Sequence, residues 1–305
     1  MLLKGQGLTI ERPQRALGTV VGAAASLIPL ALALALLAKA SGWPISFPQF
    51  LAYVGAGGLV VLSLVFGFWA YGCASLRYVL DGRGLTIVWG PLKHFVSIDR
   101  IKGLVHGRGE HQPKVQGLSW WGYHIGRGHA QGLGRVLFFS THRSPEELVY
   151  VRTAEATYGL SPQDPLRFIM ETKRFQKAGQ PVDGPAVRRQ LPAAHPIWAD
   201  RMAQQLVGTA LLLNLALWGY LFAVYPDLSR EITIQFPPIG DITALHSRQE
   251  ILKIPGTATA FLAANLLAAL GFQWREPAAT YLLLSGAVLL QVLFWVAAAV
   301  AVINA

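Results

Sequence analysis

The stretch Arg77-Tyr-Val-Leu-Asp-Gly-Arg-Gly-Leu-Thr-Ile-Val-Trp89 begins shortly after an uncharged apolar run, Phe50 to Tyr71, has ended. Its two halves, Arg77 to Leu80 and Leu85 to Trp89, read as strands, and Asp81-Gly82 supplies the positive-φ positions that a tight hairpin turn needs. A long apolar run suits a helix in hydrocarbon, whereas alternating strands around a polar turn suit a domain in water. The hairpin therefore marks the point where a folded domain is inserted into a membrane protein.

Beyond the hairpin, His94-Phe-Val-Ser-Ile98 and Ile101 to Val105 continue the strand pattern around Asp99-Arg100, followed later by Arg135 to Ser140, Glu147 to Arg152 and Ala156 to Tyr158. Short strands separated by turn residues predict a small antiparallel barrel or sandwich. A closing helix follows. Ser161 caps it, Pro162 suits its first position and Asp164 places a carboxylate near its positive end. Leu166, Ile169 and Met170 share a face expected to pack on the sheet, and Lys173, Arg174 and Lys177 gather near the carboxyl end, where cations are favoured. From Gln180 to Pro196 the chain becomes proline-rich and reads as a linker.

The flanking segments carry the membrane reading. Ala16 to Leu37, Phe50 to Tyr71, Leu206 to Val224, Ile254 to Phe272 and Ala278 to Val302 contain no Asp, Glu, Lys or Arg. Crossing hydrocarbon takes roughly 20 apolar residues, and backbone groups there must be satisfied within the segment, so all five are expected to be helices. The fourth starts at Pro255-Gly256 and also fits a re-entrant or interfacial segment. Mean hydropathy is +0.40, and only 14% of residues are charged, against roughly 25% in soluble domains. Ala38-Lys39-Ala40 has the form of a signal-peptidase site, but the apolar run before it exceeds the usual signal core of about 7 to 15 residues. The first span is expected to remain.

Loop charges set the expected orientation. Lys4, Arg12 and Arg15 precede the first span, while Ala40 to Pro48 carries no charge. Cys73 to Arg201 holds 18 Lys and Arg against 10 Asp and Glu, a net of +8 out of +10 for the chain. The loop after the third span, with Arg230, Arg248 and Lys253 against Asp227, Glu231, Asp241 and Glu250, has a net of −1. The amino terminus and the inserted domain are thus expected in the cytoplasm, with that loop and the carboxyl terminus outside a bacterial inner membrane. Trp43, Trp69, Trp198, Tyr225 and Trp274 suit headgroup depth.

Tyr78-Val-Leu-Asp-Gly-Arg-Gly-Leu-Thr-Ile87, Val96-Ser-Ile-Asp-Arg-Ile101, Val149-Tyr-Val-Arg-Thr153 and Tyr158-Gly-Leu-Ser-Pro-Gln-Asp-Pro-Leu-Arg-Phe168 together resemble the bacterial pleckstrin-homology-like (PH-like) domains of multi-spanning membrane proteins. The resemblance implies a barrel opened by a strand hairpin and closed by a carboxyl-terminal helix. The expected fold is a membrane α-helical bundle of about five transmembrane helices with an inserted α+β domain, an antiparallel PH-like β-barrel capped by a C-terminal helix. Its expected divisions are a transmembrane hairpin at 1–72, the cytoplasmic PH-like domain at 73–179, the linker at 180–201 and a C-terminal transmembrane region at 202–305, with an extracytoplasmic loop at 226–253. Ile234-Gln-Phe-Pro-Pro-Ile-Gly-Asp241 is similar to the loop of a family of small bacterial membrane proteins, with Gln235 where that family carries histidine.

Candidate chemistry is sparse. His106, His111, His124 and His129 with Glu110 are residue types that bind zinc or iron, but their spacing matches no established ligand pattern, and a polar, glycine-bearing loop accounts for them. No metal or cofactor is expected. Gly126-Arg-Gly128 and Gly132-Leu-Gly134 complete no phosphate-binding fingerprint. Ser140, His142 and Glu146 are hydrolase residue types without an established geometry. The lone Cys73 allows no internal disulfide and is expected to pack at the inner end of the second span. The spans lack ionisable groups, contrary to a pump, while Asn214, Asn265, Ser285 and Gln291 suit bonds between helices.

Lys114, Trp120, Trp121, Tyr123 and Arg127 combine rings suited to headgroup depth with cations suited to anionic lipid. The alternative for the tryptophans is closure of the barrel's open end. The expected partners are the bilayer and its anionic headgroups, together with a protein partner or a second copy of the chain. Nucleic acid is not expected, because positive-inside topology accounts for the basic surplus. The function read from these features is a non-enzymatic binding or assembly module at the inner membrane surface. The alternative is a transporter or channel component for a neutral or lipid-like substrate.

Overall fold

The computed structural model describes residues 8–107, 113, 115–130, 132–178, 187–190, 200–233, 245–273, 276–303 and 305. The chain divides into two compact units, Met1–Ala31 with Val60–Pro192 and Leu32–Leu59 with Ala193–Ala305.

The first unit holds two sheets. One has the order β1 (Thr9–Glu11), β2 (Arg77–Leu80), β3 (Gly84–Trp89), β4 (Leu92–Ser97), β11 (Val187–Gln190). The other runs β5 (Gly103–His106), β9 (Val149–Arg152), β10 (Thr157–Leu160), β8 (Gly134–Ser140), β7 (Tyr123–Ala130), β6 (Val115–Trp120). The expected antiparallel barrel is corrected on two points. The sheets do not close, because β4 pairs with β11 and a 3-10 turn at Ile98–Arg100 carries the chain across to β5. Nor is every pair antiparallel, since β10 lies parallel to β8.

Side-chain alternation makes the core. β2 buries Tyr78 and Leu80, β3 buries Leu85 and Ile87, and the second sheet adds Val149, Val151, Tyr158 and Leu160. At the floor, Tyr78 Oη donates to the Phe139 carbonyl at 2.6 Å and accepts from the Ser161 N–H at 3.1 Å. Burial pushes its phenol well above the ordinary value, so it remains a neutral donor. The hairpin turn differs from expectation in its cause. Gly82 takes no positive φ; instead Asp81 Oδ1 accepts from the Arg83 and Gly84 N–H groups, each at 2.9 Å.

The closing helix, α3 (Pro165–Ala178), starts later than its sequence punctuation suggests. Asp164 Oδ1 accepts from the Arg167 N–H at 3.0 Å and so caps it, while Ser161 Oγ accepts from Thr141 N at 2.7 Å within the domain. That shift changes the buried face. Phe168 and Thr172 are buried, with Ile169 and Phe175 packed on the core, whereas Leu166 and Met170 point outward. Sequence periodicity put Ile169 on the right face and its two companions on the wrong one, because both faces carry large apolar residues.

Among the described residues five helices are long and apolar enough to cross a bilayer: α1 (Ala16–Ala40), α2 (Phe47–Ser75), α4 (Arg201–Val224), α5 (Lys253–Phe272) and α6 (Pro277–Ile303). In the first unit α1 and α2 meet through Ser26, whose Oγ donates to the Ser63 carbonyl at 2.9 Å. Cys73 is fully buried there, its thiol 3.7 Å from the Arg15 carbonyl. Of the expected linker at 180–201, Val187–Gln190 form β11 and residues 180–186 and 191–199 lie outside the described residues, as do the loop segment 234–244, including Ile234 to Asp241, and Trp198 and Trp274.

In the second unit α4, α5 and α6 are joined by a polar chain. Asn214 Nδ2 donates to Gln291 Oε1 at 3.1 Å, Gln291 Nε2 donates to the Ala258 carbonyl at 3.0 Å, and Thr259 Oγ1 bonds Asn214 Oδ1 at 3.1 Å. Asn265 instead turns back on its own helix, to Phe261. Interhelical bonds of this kind in lipid contribute about 1 kcal/mol. Gln291→Leu should accordingly lower the thermal midpoint of the detergent-solubilised chain, with Asn265→Leu close to wild type. Equal midpoints for Gln291→Leu and wild type would remove the network from the account of helix association.

Candidate functional site

The stretch from His106 to His129, read from sequence as a polar loop, contains a hairpin. β6 and β7 pair from Val115↔Gly128 to Trp120↔Tyr123. Its glycines serve close approach rather than looseness. Gly117 stands opposite Gly126, and a Cβ on Gly117 would lie 2.7 Å from the Ile125 carbonyl oxygen. Glycine is depleted in strands generally, so propensity hid the hairpin. Nor does β6 alternate apolar with polar: the half-buried Val115, Leu118 and Trp120 are separated by exposed Gln116, Gly117 and Ser119.

The tip of this hairpin is seated on the ends of α1 and α2. Trp120 Nε1 donates to the Gly18 carbonyl at 3.0 Å, and its ring lies 6.2 Å from Trp69 of α2 and 4.9 Å from Tyr123. Gly18 and Gly22 of α1 form the notch that receives it. A Cβ on Gly22 would come within 3.0 Å of both Ala70 Cβ and Trp120 Cζ2. Gly122 turns the tip at φ +72° and meets the Gly18 backbone.

Tyr123 is fully buried and accepts a short hydrogen bond from Trp89 Nε1; burial pushes its phenol up. Trp89 itself packs edge-on against Phe68 of α2, at 5.8 Å. Two hairpin tips, β3–β4 and β6–β7, thus rest on the same helix end.

The residues grouped by sequence as an interface therefore separate. Trp120 and Tyr123 are inside the seat. Trp121 alone is outside it, 80% exposed at the tip, where its neighbour Gly122 packs on Leu17 in the first turn of α1. Arg127 is exposed but stands about 13 Å further along β7 at the strand rise per residue. Lys114 lies outside the described residues.

The other sequence candidates resolve as follows. His124 and His142 stack with ring centroids 4.3 Å apart. His124 Nδ1 bonds Ser119 Oγ at 2.8 Å, and His142 Nδ1 bonds Ser140 Oγ at 2.8 Å. Burial first, and then its neighbour His124, lowers the His142 imidazole to about 3; burial also lowers His124. Ser140 and His142 meet, but both are buried, and Glu146 offers only its carbonyl, to His106 at 2.7 Å. His111 and Glu110 lie outside the described residues, and among the described residues no three His, Cys, Asp or Glu side chains come together as metal ligands.

No curated protein and no solved structure matches the chain. Residues 76–176 match the family described as the bacterial PH domain (bPH_5), and this range starts just after α2 and takes in β2 to β10 and most of α3. Between helices long and apolar enough to cross a bilayer, the chain thus carries a domain of the bacterial PH family.

Proposed function

We propose that the chain is a non-enzymatic polytopic protein of a bacterial inner membrane whose PH-like domain is held at the cytoplasmic surface as a binding or assembly module. The observation that carries this reading is the seating of the β6–β7 tip on α1 and α2, which leaves Trp121 exposed beside the first turn of an apolar helix. A tryptophan at that level suits the headgroup region, where an amphipathic ring meets both water and hydrocarbon. The positive loop charge of the same block favours the cytoplasmic side. Strand β1, which precedes α1, pairs with β2, which follows α2; this supports placing the amino terminus on the same side as the domain.

The test uses the full chain in anionic nanodiscs, with Cys73→Ser and a single environment-sensitive label at Trp121→Cys or Ser144→Cys. Lipids spin-labelled at the headgroup should quench the label at 121 strongly and the label at 144 weakly. Equal quenching would remove Trp121 from the interface. In intact cells an impermeant maleimide should reach Ser46→Cys but not Ser144→Cys; labelling at 144 would overturn the cytoplasmic placement.

A further inference from the structure

The unclosed sheets leave a slit where β3 and β4 face β7 and β8, a cavity of about 530 Å³. Register explains its walls. Trp89 pairs with Leu92 and Ile87 with His94, so these four side chains stand on one face of the first sheet. On the second sheet Arg135, Leu137 and Phe139 alternate onto one face, and Arg127 stands directly opposite Leu137. The two faces look at each other across the cavity.

The polar group at the floor is already engaged, because His94 Nε2 bonds Tyr158 Oη at 2.9 Å. What remains along the depth is apolar. The charge is at the rim, where Lys93, Arg127 and Arg135 outnumber Glu155. Arg127 and Arg135 are exposed and sit diagonally on adjacent strands, a separation of about 7 to 8 Å that long side chains bridge. Neither has a carboxylate partner among the described residues.

A narrow apolar slot with a cationic mouth selects an amphipathic anion. The volume lies toward the lower end of the roughly 300 to 1,000 Å³ typical of ligand pockets, which suits one chain rather than two. We propose that this slit binds a single long-chain fatty-acid anion, with the chain between the sheets and the carboxylate on Arg127 and Arg135. Planar guanidinium groups match a carboxylate in geometry as well as charge. Trp89, which touches both the slit and Phe68 of α2, places the apolar end of the slit beside a helix fit to lie in lipid. The site does not depend on the domain's orientation across a membrane.

The test is titration of the purified full chain in amphipol with cis-parinaric acid, a fluorescent fatty acid. Arg127→Glu with Arg135→Glu should weaken binding by about tenfold or more, the equivalent of one lost charge-assisted contact, with an unchanged melting temperature because both side chains are exposed. Palmitate should displace the probe better than hexadecanol of the same length. A diazirine-bearing fatty acid should crosslink to peptides from β3, β4 and β8. Unchanged affinity in the double variant, equal displacement by the alcohol, or crosslinks confined to the apolar helices would each overturn the proposal. Stronger displacement by a lysophospholipid would overturn the carboxylate as the bound head group.

Discussion

Gly18→Ala should unseat the β6–β7 tip. A methyl group at position 18 would overlap the Gly122 carbonyl oxygen and stand 2.9 Å from Cys73 Sγ. The obstructing oxygen belongs to a backbone turn that Gly122 holds at positive φ, so it cannot give way as the end of a flexible side chain would. Overpacking of this kind costs about 1 to 3 kcal/mol, and the Trp120 bond to the Gly18 carbonyl is lost with it. The detergent-solubilised variant should melt several degrees lower, with red-shifted tryptophan emission as Trp120 meets solvent. Gly57→Ala is the control, because a Cβ there meets nothing within 4 Å. Matching melts for Gly18→Ala and Gly57→Ala would show that the tip is not held in the notch.

Acid should destabilise the domain well above the range in which carboxylates titrate. His142 titrates at about 3 in the folded chain and at about 6.5 when unfolded. Between those values the unfolded state binds the extra proton, so stability is full above pH 6.5 and falls as pH drops toward 3. At pH 5 the loss from this imidazole is about 2 kcal/mol. His124, shifted the same way by burial, steepens the fall. Denaturant midpoints at pH 7.5 and 5 should therefore differ strongly in the wild type and much less in His142→Phe, which keeps a ring against His124 but cannot take a proton. An unchanged pH dependence in that variant would place the acid sensitivity elsewhere.

The gap between sequence and structure at the candidate site has a particular physical origin. Trp120, Trp121 and Tyr123 are recognisable in sequence as rings for a boundary, and the structure puts all three at a helix end. Which of them faces out is not a property of composition. Pairing of Trp120 with Tyr123 leaves Trp121 in the turn, and only the notch at Gly18 and Gly22 decides that the paired rings are the ones seated on the helices. Arg127 shows the converse. Adjacent in sequence to the aromatic cluster, it is carried away along the strand and opposite Leu137, into the mouth of the slit.

Local order along the chain is enough to specify the apolar helices, the β2–β3 hairpin, the core strands and the bacterial PH family of the central domain. These are set by run length, by period-two alternation and by short turns. Tertiary structure alone decided what depends on pairing between distant segments. It brought β1 and β11 into the first sheet from outside the family's range, laid β10 parallel to β8, left the barrel unclosed and seated one hairpin tip on two helices. The reason is that a strand edge or a glycine notch offers its hydrogen bonds and space to any segment that can reach it. Which segment does so is settled by the competition of all of them in three dimensions.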